Sequence, residues 1–239
     1  MMVEPLPILD DAVALSFDYD DVRLAGYAWW AAGVANAPTV LVLHGWGEDA
    51  STLAPVARQI RKRGWHAVSI SLRGWRGSTG IDDYGLSAAK DIGRVLEWIR
   101  QRSHSGPTLL LGFSMGGLMA GLAAAEQEDL TGLVVVGAPA HLPSFYQDTE
   151  FGGVRRYFDA TLLPRQWHDS SPLTHADRIS VPMMLVTGGK DTMCPPEQGR
   201  RMAGAVANGR LFHLPEMEHY PSPVEWEQIL DEAAKFIRF

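Results

Sequence analysis

Leu109-Leu110-Leu111-Gly112-Phe113-Ser114-Met115-Gly116-Gly117 is the stretch that decides how the chain folds. Three leucines bounded by Gly read as a buried strand, and the apolar, glycine-containing run from Met115 to Glu126 reads as a helix. Between them Gly112-Phe113-Ser114-Met115-Gly116 forms a G-x-S-x-G turn, in the strand-before, helix-after setting that gives the pattern meaning. The turn is so tight that only hydrogen fits as a side chain two residues either side of the serine. Strain then pushes the Ser114 hydroxyl outward and aims the Met115 amide at developing negative charge. Leu109 to Ala125 is also apolar enough to invite a membrane-spanning reading, with Gly117-x-x-x-Gly121 as a helix-pairing pattern. The interior glycines and Ser114 suit a strand turning into a buried helix better.

Outward from this turn, similar apolar runs recur at Thr39 to Leu43, Ala67 to Leu72, Thr108 to Phe113, Leu133 to Val136 and Met183 to Thr187. Helix-period segments alternate with them: Leu53 to Arg63, Ser87 to Arg102, Met115 to Glu126, Pro196 to Ala207 and Pro223 to Phe239. Such alternation predicts an α/β fold with a mostly parallel central sheet and helices on both faces. Val13 to Trp30 alternates with period two around Asp20-Asp21 and predicts an antiparallel hairpin at a sheet edge. His141 to Asp177 mixes proline, aromatics and arginines without one period, so we expect a single domain, 1–239, with a small cap insertion at about 140–178.

Composition narrows the function classes. With 46% apolar residues among 239, the chain is neither disordered nor fibrous. The balance of 28 acidic against 21 basic residues, with no basic run beyond Arg61-Lys62-Arg63, argues against nucleic-acid binding. Cys194 is the one cysteine, so neither an intrachain disulfide nor a cysteine zinc cluster can form. His44, His66, His104, His141, His168 and His175 show no H-x-x-x-H spacing, so no metal site is expected. An acidic, weakly apolar N-terminus does not resemble a secretory signal, and a cytoplasmic protein without membrane attachment is the expectation.

A serine hydroxyl needs a base, and the base needs an orienting carboxylate. Asp191 follows the strand ending near Thr187, at the sheet edge where ligands of open parallel sheets gather. Its rival reading is a cap for the helix near Pro195. His219, in a loop before the final helix, is the candidate base; His213 is its nearest rival but falls inside a strand signal. The first central strand ends in His44-Gly45-Trp46-Gly47, where the Trp46 amide can join that of Met115 as a second oxyanion donor. Gly45 to Ala50 also matches a dinucleotide fingerprint, but no acidic residue occurs between Asp49 and Asp82 to hold a ribose, and Glu48 and Asp49 would repel pyrophosphate.

H-G-W-G, G-F-S-M-G-G, G-G-K-D and E-H-Y-P, in that order, resemble the α/β-hydrolase superfamily across nearly the whole chain. Ser171-Pro172-Leu173-Thr174-His175, Arg73-Gly74 and Gly77-Ser78-Thr79-Gly80 look like the catalytic domains of dienelactone hydrolases and prolyl oligopeptidases, without a propeller. Ser71 and Arg76 depart from the usual D-x-R-G-x-G-x-S pattern. The expected activity is a serine carboxylesterase for a small, uncharged ester, working without a cofactor through an acyl-enzyme on Ser114. Amide or short-peptide cleavage, thioester cleavage and non-catalytic ligand binding are the alternatives. Trp46, Phe113, Phe145, Tyr146 and Trp167 are the candidate substrate-lining residues; Arg155 and Arg156 would meet a carboxylate or form a solvated face.

Overall fold

The computed structural model describes residues 3–20, 22–34, 36–102, 106–127 and 129–237; Asp21 of the expected hairpin turn and His104 lie outside the described residues. Strands β1 (Val13–Tyr19), β2 (Val22–Trp29), β3 (Thr39–Leu43), β4 (His66–Ile70), β5 (Thr108–Phe113), β6 (Gly132–Val136), β7 (Met183–Gly188) and β8 (Gly209–Leu214) form one sheet. Its order is β1-β2-β4-β3-β5-β6-β7-β8. The β1–β2 hairpin lies at one edge and β2 runs antiparallel to β4; every pair from β4 to β8 is parallel. The expectation of a mostly parallel sheet with an antiparallel hairpin is met.

Every residue of β3, β5, β6 and β7 is buried, as continuous Val/Leu-rich runs require when helices cover both faces. Helices α1 (Ala54–Lys62) and α8 (Pro223–Ile237) cover one face, packing Val56, Ile60, Trp226 and Ile229 over Val42, Leu111 and Val136. Helices α2 (Ala88–Arg100), α3 (Met115–Ala124) and α7 (Glu197–Ala205) cover the other. All ten residues of α3 are buried, which explains why the sequence there has no polar face. Among the described residues no helix is long and apolar enough to cross a membrane.

Between β6 and β7 lie α4 (Leu142–Asp148), α5 (Gly152–Thr161), α6 (Gln166–Asp169) and a 3₁₀ segment, Pro172–Arg178. The segment lacks one period because it contains several short helices, each turned to a different neighbour. Tyr157 Oη donates to Asp82 Oδ2 at 2.7 Å and Gln166 Nε2 to the Asp83 carbonyl at 2.7 Å, tying these helices to the loop after β4. Ser71 explains its own departure from the expected pattern: its Oγ accepts the Ala50 amide at 2.9 Å, and Ser78 Oγ donates to its carbonyl at 2.7 Å. Arg76 reaches the Pro5 carbonyl, Glu4 and Asp49, holding the N-terminal segment against this loop.

Candidate active site

Ser114 sits at the junction of β5 and α3 with φ 52° and ψ −119°, a conformation that costs a non-glycine residue of order 1–3 kcal/mol. The neighbouring glycines are what make the turn closable. A Cβ on Gly112 would lie 2.3 Å from the Gly116 carbonyl oxygen, and one on Gly116 would lie 2.2 Å from that of Leu43. Ser114 is further fixed by its own amide, which donates to Val136 O at 2.8 Å.

Ser114 Oγ lies 3.1 Å from His219 Nε2. On the far side of the ring, Nδ1 donates to Asp191, 2.9 Å from Oδ2 and 3.1 Å from Oδ1. Asp191 Oδ1 also accepts the Cys194 amide at 2.7 Å, so the carboxylate is held from two sides. The Asp191 and His219 loops are laced together by Lys190 N–H to Met217 O at 3.0 Å, and both side chains are buried. Thus three residues spread over 105 positions of chain meet at the C-terminal edge of the sheet. His213 lies elsewhere, on β8, exposed and paired with Thr187 Oγ1 at 3.0 Å. Among the described residues no three His, Cys, Asp or Glu side chains cluster to hold a metal.

The loop after β3 is rigid for reasons absent from its pattern. His44 is fully buried; its Nδ1 donates to the Gly45 carbonyl at 2.8 Å and its Nε2 accepts the Leu72 amide at 3.0 Å. Burial depresses its pKa to about 4, so it is a neutral brace between the ends of β3 and β4. The Gly45 amide donates to Glu48 Oε2 at 2.8 Å. That carboxylate occupies the donor a dinucleotide phosphate would need, a physical reason against the fingerprint reading. Burial in turn raises the Glu48 pKa.

A cavity of about 240 Å³ opens over Ser114. Trp46, Phe113, Ser114, Met115, Phe145 and His219 all line it. Tyr146 and Trp167 do not, which corrects the expectation for both. Successive helical residues point about 100° apart, so Phe145 facing the cavity turns Tyr146 away. Tyr146 packs edge-on against Trp167 with centroids 5.3 Å apart and donates to Asp159 at 2.9 Å, while Trp167 also meets Phe158 edge-on. The rest of the wall is built by Phe151, one of the aromatics of the 141–177 segment, and by Tyr84, Val154 and Tyr220, which the sequence did not mark as lining residues. Tyr84 carries φ 45°, and its signal was the Asp82-Asp83-Tyr84-Gly85 turn, where Asp82 Oδ1 accepts the Tyr84 amide at 2.9 Å. Arg155 and Arg156, on α5, are not among the cavity-lining residues.

A family model described as serine aminopeptidase, S33, matches residues 35–164, more than half of the chain. The Escherichia coli (strain K12) protein named "Putative esterase YheT" is 32% identical over 160 residues, covering 61% of this chain and 45% of that protein. The chain therefore spans less than half the length of this curated relative. Among solved structures, Est1E from Butyrivibrio proteoclasticus with ferulic acid bound is similar at TM-score 0.77 and 18% identity, over 95% of this chain and all of that one. Pyrococcus furiosus esterase Pf2001 is similar at TM-score 0.76 and 20% identity, over 99% and 98% of the two chains. Pyrococcus horikoshii acylaminoacyl peptidase is similar at TM-score 0.76 and 17% identity, over 94% of this chain and 41% of that one. At these identities the structural likenesses speak for the fold.

Proposed function

The chain belongs to the serine aminopeptidase S33 family and has the α/β-hydrolase fold, and from that premise we propose that it is a serine carboxylesterase for small, uncharged carboxylic esters. Ser114 is the nucleophile in this reading. His219 Nε2 takes the hydroxyl proton as Oγ adds to the carbonyl carbon, and Asp191 holds the imidazole in the tautomer that leaves Nε2 free. The amides of Trp46 and Met115 receive the oxyanion; losing one such donor typically costs ~10²–10³ in turnover. His219 then hands its proton to the departing alkoxide, leaving an ester on Ser114. Water adds to that ester with His219 again as base, releasing the acid and restoring the hydroxyl. Every proton travels between serine, imidazole, alcohol and water, so the cycle calls for no cofactor. The inserted helices over the sheet edge act as a small cap that supplies part of the acyl pocket.

The observation that carries the choice of ester is the cavity lining: no Asp, Glu, Lys or Arg is among the described residues that line the cavity over Ser114. An aminopeptidase must hold a free ammonium beside the acyl carbon, and this lining offers no carboxylate for it. The names "Putative esterase YheT", Est1E and Pf2001 esterase agree with this reading. The family's aminopeptidase description keeps peptide hydrolysis as the second reading.

Two measurements decide. A fluorophosphonate should add once per chain, on Ser114, and not at all in Ser114→Ala. Nitrophenyl esters should turn over far faster than nitroanilides with the same acyl group. Absence of the adduct removes the serine mechanism, and anilide rates equal to the ester rates move the protein to the peptidase reading.

A further inference from the structure

A second cavity, also of about 240 Å³, lies on the other side of Tyr220 from the first. Its walls come from α1 (Pro55, Val56, Gln59), from the start of α8 (Pro223, Trp226) and from Thr52 at the rim. Phe113 and Tyr220 line both cavities. The Tyr220 ring stands 5.4 Å from that of Phe113 and 5.1 Å from that of His219, and the residue is 59% exposed. Its ring is thus a wall shared by the two cavities and exposed on its outer side.

The stereochemistry of ester cleavage assigns the two spaces. Once Ser114 Oγ has added to the carbonyl carbon, the former carbonyl oxygen faces the Trp46 and Met115 amides. The leaving oxygen must come within hydrogen-bond reach of His219 Nε2, because that nitrogen holds the proton it needs. The alcohol portion therefore departs over His219, whose ring is flanked by Tyr220. The acyl portion takes the remaining direction, beneath Tyr84, Phe151 and Val154.

We propose that the cavity between α1 and α8, bounded by Val56, Gln59, Tyr220, Pro223 and Trp226, is the subsite for the leaving alcohol and takes an aliphatic or aryl group without negative charge. The inference rests on the serine-esterase reading and names its substrate's second half. Size and charge both bear on it. Ligand pockets for whole drug-sized molecules run to roughly 300–1,000 Å³, so each of these spaces suits one apolar group. Glu48 borders the second cavity, and its Oε2 accepts the Gly45 amide at 2.8 Å, which holds a carboxylate where an anionic alcohol portion would have to lie.

The test is a series of acetate esters with alcohols from methyl to pentyl, together with one whose alcohol ends in a carboxylate. In the wild-type protein kcat/KM should rise by up to about fourfold for each methylene that enters the cavity, and the carboxylate-ended ester should fall at least tenfold below its neutral counterpart. Thr52→Trp, at the exposed rim, and Gln59→Phe, from α1, fill the space by different routes. Either should lower the pentyl-to-methyl ratio at least tenfold and leave the methyl butyrate-to-methyl acetate ratio, which reads the acyl side, where it was. A flat wild-type response to alcohol length overturns the proposal even where neither variant folds, as does an unchanged pentyl-to-methyl ratio in a folded variant. Failure of every ester together with failure of the fluorophosphonate label would instead remove the serine-esterase reading, and the subsite with it.

Discussion

Gly137 adopts φ 54° directly beneath the carboxylate–imidazole pair, and a Cβ there would lie 3.2 Å from Asp191 Oδ2 and 3.6 Å from His219 Nδ1. Gly137→Ala thus meets two costs. The left-handed backbone penalises an L side chain by about 1–2 kcal/mol, which chemical denaturation should register. The new methyl also crowds the oxygen that holds the imidazole, so kcat should fall more than KM rises; the reverse pattern would mean that carboxylate placement does not limit the reaction. Asp191→Asn makes the same point through charge. The Cys194 amide keeps an acceptor, so the loop should fold, but the amide cannot hold Nδ1–H and balance an imidazolium at once. In serine proteases the matching substitution costs ~10⁴ in kcat, and a loss of 10²-fold or more is expected here with urea stability near that of wild type.

At the scale of elements, the strands were legible because a strand covered on both faces has to be apolar throughout, as Thr39 to Leu43 and Thr108 to Phe113 are. Their ends were less legible, because loops are stopped by partners distant in sequence. The run Ala67 to Leu72 overshoots β4, which ends at Ile70, since the Leu72 amide is given to His44 Nε2. His44 could be placed at the end of the first central strand, but only the assembled sheet shows it joining two strand ends. Its depressed pKa fixes the sign of a pH effect. The unfolded chain takes up a proton on this ring near pH 6.5, whereas the folded chain resists until about pH 4. The contribution is therefore intact above pH 6.5 and is lost progressively as pH falls, amounting to roughly 2–3 kcal/mol by pH 4.5. Urea unfolding at pH 7 and pH 4.5 should show this loss in the wild type and a shallower one in His44→Gln, the other titrating groups being common to both. Equal slopes would show that the ring is not held neutral.

Across the whole molecule, the order Ser114, Asp191, His219 could be read from the chain because each follows a strand signal at one edge of a parallel sheet. Much of the wall around them could not, since Tyr84 and Tyr220 come from two separate loops and Val154 from α5, and no local period marks their convergence. Tyr146 and Trp167 looked equivalent to Phe145 by residue type, and only the facing of α4 and of α6 separates them. The same limit applies to what holds the inserted helices down. Tyr157 rests its ring 5.7 Å from those of Trp46 and Tyr84, and its hydroxyl donates to Asp82 Oδ2. Burial raises the Asp82 pKa and the Tyr157 hydrogen bond opposes it, so the pair is a polar bolt inside an aromatic joint. Tyr157→Phe keeps the ring and removes the bolt. Leaving that half-buried carboxylate short of a donor should cost about 1 kcal/mol, felt mainly where α5 meets the loop after β4. Proteolytic cleavage should then appear first between residues 149 and 170, and KM for esters with long acyl groups should rise before kcat changes. If cleavage instead begins in the β1–β2 hairpin, or KM stays fixed for every acyl length, Tyr157 does not anchor the roof of the cavity over Ser114.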